Sequence, residues 1–186
     1  MFSEKKLEWK ISGRELELHT PVFDVMKLSE ESETGIKGDY VAIEAPDWVV
    51  IVAVHGDNFV LVRQWRHGEG RVTLEFPGGV CEKDEDPQAT ALRELEEETG
   101  FRAGKMTNLA RVSANPALFA NHFNVFLAEE LTATHEQHLD EDEILNFEEH
   151  PINEVIENYG DEYLTHAYMG TALACYFREL RRRAKD

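Results

Sequence analysis

Basic residues are scarce in this chain: 19 Lys and Arg stand against 37 Asp and Glu, a formal net charge of −18. That balance argues against nucleic acid as a partner, because phosphate backbones demand clustered Lys and Arg. The one basic cluster, Arg178 to Lys185 (RELRRRAK), reads as a solvated helix end, where cations suit the helix dipole. Cysteine is nearly absent. Cys81 and Cys175 lie far apart, which speaks against a disulfide framework and for free thiols in a cytoplasmic protein. Long apolar runs are missing as well. The longest, Trp48–Val54 (WVVIVAV), has the length of a buried strand and falls far short of a membrane span. The opening MFSEKKLEWK lacks the apolar centre of a signal peptide, so neither membrane insertion nor export is expected.

What remains is the composition of an ordinary globular protein, 42% hydrophobic and 10% aromatic over 186 residues. That length suits a single main domain with a small appendage. Residues 1–47 read as a β-rich N-terminal segment. KLEWKIS alternates apolar and polar, Gly13-Arg14 reads as a turn, and ELELHTPVFDVMKLS as a second strand interrupted at Pro21. A further strand, Asp39–Glu44, follows a turn at Thr34-Gly35. Such strands bury little by themselves and should pack on the main domain or on a second subunit. Residues 48–186 read as the main domain. Trp48–His55 is apolar on both faces, as a central strand should be, and Gly56-Asp57-Asn58 turns it into Phe59–Trp65. Strands are also expected at Val72–Phe76, Met106–Ser113, His122–Glu129 and Glu143–Phe147. Helices are expected at Asn153–Asn158 and Tyr163–Arg183.

The stretch Gly79–Phe101 (GVCEKDEDPQATALRELEEETGF) carries the chemistry. Asp86-Pro87 is a helix start, with a capping carboxylate and proline at the first helical position, and Gly100 is a helix stop. Ala91, Leu92 and Leu95 should supply the buried face. Glu94, Glu97 and Glu98 then fall at i, i+3 and i+4, on one face and near the negative end of the helix dipole. Like charges at that spacing destabilise a helix by about 0.2–0.5 kcal/mol per pair. A bound divalent cation would offset both penalties. Glu96 points off this face and reads as solvated.

Gly79, Glu85, Arg93-Glu94-Leu95, Glu97-Glu98 and Gly100-Phe101 match every constrained position of Gly-x5-Glu-x7-Arg-Glu-apolar-x-Glu-Glu-x-Gly-apolar. The stretch therefore resembles the Nudix box, the signature of the Nudix hydrolases. The resemblance implies an α/β fold, an α/β/α sandwich with a mixed sheet. It also implies hydrolysis of the P–O–P bridge of a nucleoside diphosphate linked to another group, with Mg²⁺ as cofactor and Mn²⁺ as the alternative. By position the metal ligands would be Glu94, Glu97, Glu98 and the backbone carbonyl of Gly78, with Arg93 and Glu85 paired behind them. The catalytic group outside the box would be Glu143, with Glu141 in reserve.

LVRQWR before the box, LEFPGG leading into it and Pro116 after it resemble the ADP-ribose and ADP-sugar pyrophosphatase branch in particular. That branch implies a homodimer built through the N-terminal strands, with an active site shared between subunits. It also implies a nucleoside diphosphate sugar as substrate, cleaved to a nucleoside monophosphate and a sugar phosphate. Arg66 would contact diphosphate or ribose, and Arg63 is a second candidate that also has a structural reading. Trp9, Trp48 and Trp65 are candidates for stacking on the base, each with core packing as the alternative. Asn115-Pro116-Ala117 departs from the glycine that many relatives carry after the proline. A GDP-sugar, a dinucleotide polyphosphate or a damaged nucleotide therefore stands as an alternative substrate, and a nucleotide-sensing module as a third reading. His135 and His138 lack the company that zinc needs. Cys81 lacks a nearby base in sequence and reads as incidental, and Cys175 as core.

Overall fold

The computed structural model describes residues 4–134, 137–139, 143–161 and 163–185. They divide into two compact units, one formed by the chain up to Pro46 together with Ser113–His122, the other by Asp47–Val112 and Phe123 onward.

The first unit is a three-stranded antiparallel sheet of β1 (Trp9–His19), β2 (Asp24–Ser32) and β3 (Lys37–Glu44), in that order. Gly13-Arg14 is not a turn. β1 runs straight through it, and the register with β2 slips between Ile11 and Gly13, which marks a bulge. The reversal comes later, at Thr20–Phe23, where the Thr20 hydroxyl accepts from the Phe23 N–H at 2.9 Å and donates to the Phe23 carbonyl at 2.6 Å. The Ser113–His122 segment joins this sheet through β3: the Ile43 N–H donates to the Leu118 carbonyl and the Ala120 N–H to the Ile43 carbonyl. Ile11, Leu16, Leu18 and Val41 are each more than half exposed. A sheet this small cannot cover its own apolar residues.

The second unit is a mixed sheet in the order β6-β5-β4-β8-β7, with β9 added on β5. Its strands are β4 (Trp48–His55), β5 (Asn58–Arg66), β6 (Arg71–Glu75), β7 (Phe101–Ser113), β8 (His122–Ala133) and β9 (Leu145–Pro151). The helices are α1 (Pro87–Thr99), α2 (Ile152–Glu157) and α3 (Ala167–Arg183). β4 is central, antiparallel to β5 and parallel to β8, and Val49–Ala53 are buried. β5 branches the sheet: β9 pairs along one edge from Asn58 to Gln64, while β4 and then β6 share the other edge.

Alternation along β5 separates the two helical layers. Val60 packs with Val49, Ile51, Ala91 and Leu95 on the α1 side. Its neighbour Phe59 meets Tyr176 of α3 with ring centroids 5.3 Å apart. Cys81 and Cys175 are buried free thiols. α3 begins at Ala167 rather than Tyr163, because Tyr163 and Leu164 are held as a loop. The Tyr163 carbonyl accepts from the Leu74 N–H and the Leu164 carbonyl from the Gly160 N–H. No described helix is long and apolar enough to cross a membrane.

Candidate active site

The bounds of α1 follow from its ends. Asp86 accepts the Ala89 N–H at 3.3 Å, proline opens the helix, and Gly100 closes it at φ 66°. The buried residues are Thr90, Ala91, Leu95, Glu98 and Thr99, whereas Leu92 is 40% exposed and does not belong to the core face. Fully buried Leu95 alone contributes about 1.5–3 kcal/mol of hydrophobic stabilisation. The last-turn carbonyls, which a helix cannot satisfy internally, receive donors from the chain beyond β8. The His138 N–H reaches the Glu97 carbonyl at 3.0 Å and the Gln137 side-chain amide reaches the Glu98 carbonyl. Glu96 is not simply solvated; Arg102 donates to it twice, at 2.6 and 2.8 Å.

The turn before the helix lies against β4. The Ile51 N–H donates to the Pro77 carbonyl, the Val49 N–H to the Gly79 carbonyl, and the Cys81 N–H to the Asp47 carbonyl, each at 2.9 Å. An extended chain alternates its carbonyls, so the Gly78 carbonyl is the one directed away from β4. Only glycine fits there, since a Cβ on Gly78 would stand 2.1 Å from the Val49 carbonyl oxygen. On the other side a Cβ on Gly79 would stand 2.3 Å from Glu94 Oε1, so a larger residue there has to displace that carboxylate. The two glycines thus let one stretch of backbone approach both the central strand and a helix carboxylate.

Glu98 Oε2 accepts the Gly78 N–H at 2.8 Å. Arg93 Nη1 bridges Glu94 at 3.0 Å and Glu97 at 2.8 Å, while the rest of its guanidinium reaches Glu85 at 3.4 Å. Burial pushes the Glu98 carboxyl up to about 8; the Gly78 N–H opposes this, and the charges of Glu94 and Glu143 add to it. Burial also pushes Glu94 up to about 7, against Arg93 and reinforced by Glu97 and Glu143. The site is thus short of positive charge. Among the described residues no His, Cys, Asp or Glu cluster forms a ready-made cage, because these carboxylates are held by Arg93 and by Gly78. The donors nevertheless fit a hard divalent cation: two desolvated carboxylates, a third beside them and a backbone oxygen, all oxygen ligands.

Beside Gly78 and Gly79 a cavity of about 200 Å³ is lined by Trp48, Val49, Val50, Arg66, Val80, His166 and Tyr168. Arg66 donates to both oxygens of fully buried Glu75, at 2.9 and 2.7 Å, and to the Tyr168 hydroxyl at 3.1 Å. Thr73 and Tyr168 also donate to Glu75. Burial works against the Glu75 charge, but Arg66 outweighs it and holds the carboxyl below its ordinary value.

Arg63 lies elsewhere. Its guanidinium pairs with Glu148, holding that carboxyl down at about 2, and sits 5.3 Å from the Tyr163 ring centroid in a different cavity lined also by His150 and Asp161. Of the tryptophans, Trp48 lines the cavity at Gly78. Trp65 is half exposed near His67, and Trp9 packs edge-on to Tyr40 in the first unit. Glu143 is exposed, and its charge reaches both Glu94 and Glu98. β9 opens two residues later than expected, at Leu145, and Ile144 is 90% exposed. Glu141 and His135 lie outside the described residues. Burial raises the Cys81 thiol's pKa, which suits a core residue rather than a nucleophile. The sequence alone does not single out Glu75, Gln137, His166 or Tyr168. Only the Glu in LEFPGG carried a hint, through its neighbours.

Comparison with known proteins places this arrangement. The NUDIX domain model matches residues 45–169. The chain is 34% identical to an ADP-ribose pyrophosphatase of Bacillus subtilis over 155 residues, 82% of this chain and 84% of that protein. It is 33% identical to a methanol dehydrogenase activator of Bacillus methanolicus over 161 residues, 84% of this chain and 83% of that one. A crystal structure of an ADP compounds hydrolase superposes with a TM-score of 0.84 at 25% identity, covering 96% of this chain and 97% of that one. The chain belongs to the Nudix hydrolase family and is a pyrophosphatase of that family.

Proposed function

We propose that this protein hydrolyses the diphosphate linkage of ADP-ribose or a related nucleoside diphosphate sugar, giving a nucleoside monophosphate and a sugar phosphate. The observation that carries the reading is the pair of desolvated carboxylates, Glu94 and Glu98, set against the Gly78 backbone. In this reading Glu94, Glu97, Glu98 and the Gly78 carbonyl hold Mg²⁺, or Mn²⁺ in its place. When bound, the metal would supply charge neutralisation for the diphosphate and activation of the attacking water. Arg93 and Glu85 keep the glutamates in position, and Glu143 is the group that takes the water's proton. Arg66, fixed by Glu75 and Tyr168, faces the diphosphate with its remaining N–H groups. The relatives that carry ADP-ribose pyrophosphatase and ADP compounds hydrolase as names support this substrate class.

The proposed division is an N-terminal segment of residues 1–47 that dimerises and a catalytic domain of residues 48–186. The exposed Ile11, Leu16, Leu18 and Val41 support a partner on the first sheet. The deciding experiment is a panel of ADP-ribose, a GDP-sugar, a dinucleotide polyphosphate and an oxidised nucleotide with Mg²⁺, scored by product identity. Preferred turnover of ADP-ribose to AMP and ribose 5-phosphate is expected. A preference for another member moves the substrate, and binding without turnover would instead favour a sensing module. Sedimentation of the full chain tests the dimer; a monomer would remove it.

A further inference from the structure

The cavity beside Gly78 and Gly79 includes a histidine that none of these roles uses. His166 stands just ahead of α3, where its Nδ1 accepts the Tyr168 N–H at 3.5 Å and its ring stacks on that of Tyr168, centroids 3.5 Å apart. An accepting Nδ1 places the ring proton on Nε2. Burial holds the ring's pKa below the ordinary histidine value; Glu75 and Glu69 oppose this and Arg66 assists it. The ring is therefore a neutral, single donor fixed in orientation by the helix and by Tyr168.

The rest of the lining narrows what this donor can meet. Trp48, Val49, Val50 and Val80 contribute mainly apolar surface. The polar side chains behind them are spent on one another: Glu75 receives Arg66, Thr73 and Tyr168, and the Tyr168 hydroxyl both donates to Glu75 and accepts from Arg66. Among the described side chains of the lining, the donors left are the Nε2–H of His166, the indole N–H of Trp48 and the outer Nη1–H groups of Arg66, with no unspent carboxylate. A sugar hydroxyl donates as well as accepts and would leave its own proton unmatched by these side chains. A phosphoryl oxygen only accepts, and a largely apolar wall strengthens the bond it receives.

We propose that His166 is a substrate-binding residue whose Nε2–H donates to a phosphoryl oxygen of the diphosphate, alongside Arg66. The proposal rests on the reading that the substrate carries a diphosphate. It predicts that two isosteric halves of the histidine separate its two tasks. Asparagine can put its carbonyl where Nδ1 caps the helix but does not reach the Nε2 position; glutamine reaches that position with an N–H but loses the cap.

The test compares His166→Asn with His166→Gln, measuring the melting temperature, kcat and KM for ADP-ribose, and the Kd of inorganic pyrophosphate with Mg²⁺ present. The expected result is an unchanged melting temperature in H166N with KM and the pyrophosphate Kd raised about tenfold or more. H166Q should melt lower but keep both constants near wild type. Unaltered KM and pyrophosphate binding in H166N, or constants in the two variants that merely follow their melting temperatures, would overturn the role. If no diphosphate sugar is turned over yet H166N still weakens pyrophosphate, the substrate reading fails and this one stands.

Discussion

The carboxylate of Glu98 and the backbone N–H of Gly78, 2.8 Å apart, tie the end of α1 to the turn that opens the site. This bond sets how far the helix stands from the Gly78 carbonyl. Gly79 sets the same distance for Glu94, because a Cβ there would fall 2.3 Å from its carboxylate. Gly79→Ala should therefore displace Glu94 by roughly an ångström and lower kcat about 10²-fold, with kcat/KM falling in step. Glu98→Gln should lower kcat by several orders of magnitude while leaving the circular-dichroism spectrum unchanged. Near-wild-type turnover in E98Q would remove Glu98 from the metal platform.

The raised carboxyls make a prediction about pH and metal. Glu94 and Glu98 have folded-state values of about 7 and 8 against an ordinary value of 4.5. Between those limits the folded protein binds more protons than the unfolded chain, so stability falls as pH rises from about 5 to 8. A cation on the site removes the repulsion that the ionised pair suffers. Thermal melts with EDTA should show this decline, and Mg²⁺ should raise the melting temperature more at pH 8.5 than at pH 6. An equal metal shift at both pH values would count against the pair as ligands.

Arg66 and Glu75 make a prediction about stability. Glu75 is fully buried, so removing its bidentate partner leaves a charge without compensation. Arg66→Met should cost about 3 kcal/mol in urea unfolding, the low end for a buried pair because Arg66 is itself 37% exposed. Adding Glu75→Gln should recover part of that loss. A double mutant no more stable than R66M would show that Thr73 and Tyr168 suffice to hold the carboxylate.

The sequence carried the helix of the site almost to the residue, because Asp86-Pro87 and Gly100 are local signals that no tertiary contact reverses. It carried the central strand for the same kind of reason: Val49–Ala53 have no polar face to expose. Gly13 reads as a turn in the sequence because an isolated glycine in an alternating segment marks either a turn or a bulge. Only the register with β2 distinguishes them. The network of Arg66, Glu75, Tyr168 and His166 was invisible because its members come from β5, β6 and the start of α3. Nothing local to His166 or Tyr168 signals a partner about a hundred positions away. Composition draws Tyr163 into α3, whereas one long-range bond, from the Leu74 N–H to its carbonyl, holds it in a loop.

Glu143 lies outside the box, exposed, yet its charge helps to raise both Glu94 and Glu98. Gln137 and His138, a few positions ahead of it, are tied to the end of α1 by the Gln137 amide and the His138 N–H. A group placed there can take a proton from water without competing for the position of the metal. Glu143→Gln should lower kcat about 10²–10⁴-fold, the range for a lost general base, while the Mg²⁺ concentration for half-maximal activity stays constant. Glu97→Gln should instead raise that concentration. Gln137→Ala, which releases one of the two anchors, should lower kcat in wild-type protein but have little further effect in E143Q. If Q137A and E143Q lowered kcat independently, the loop would act through something other than Glu143.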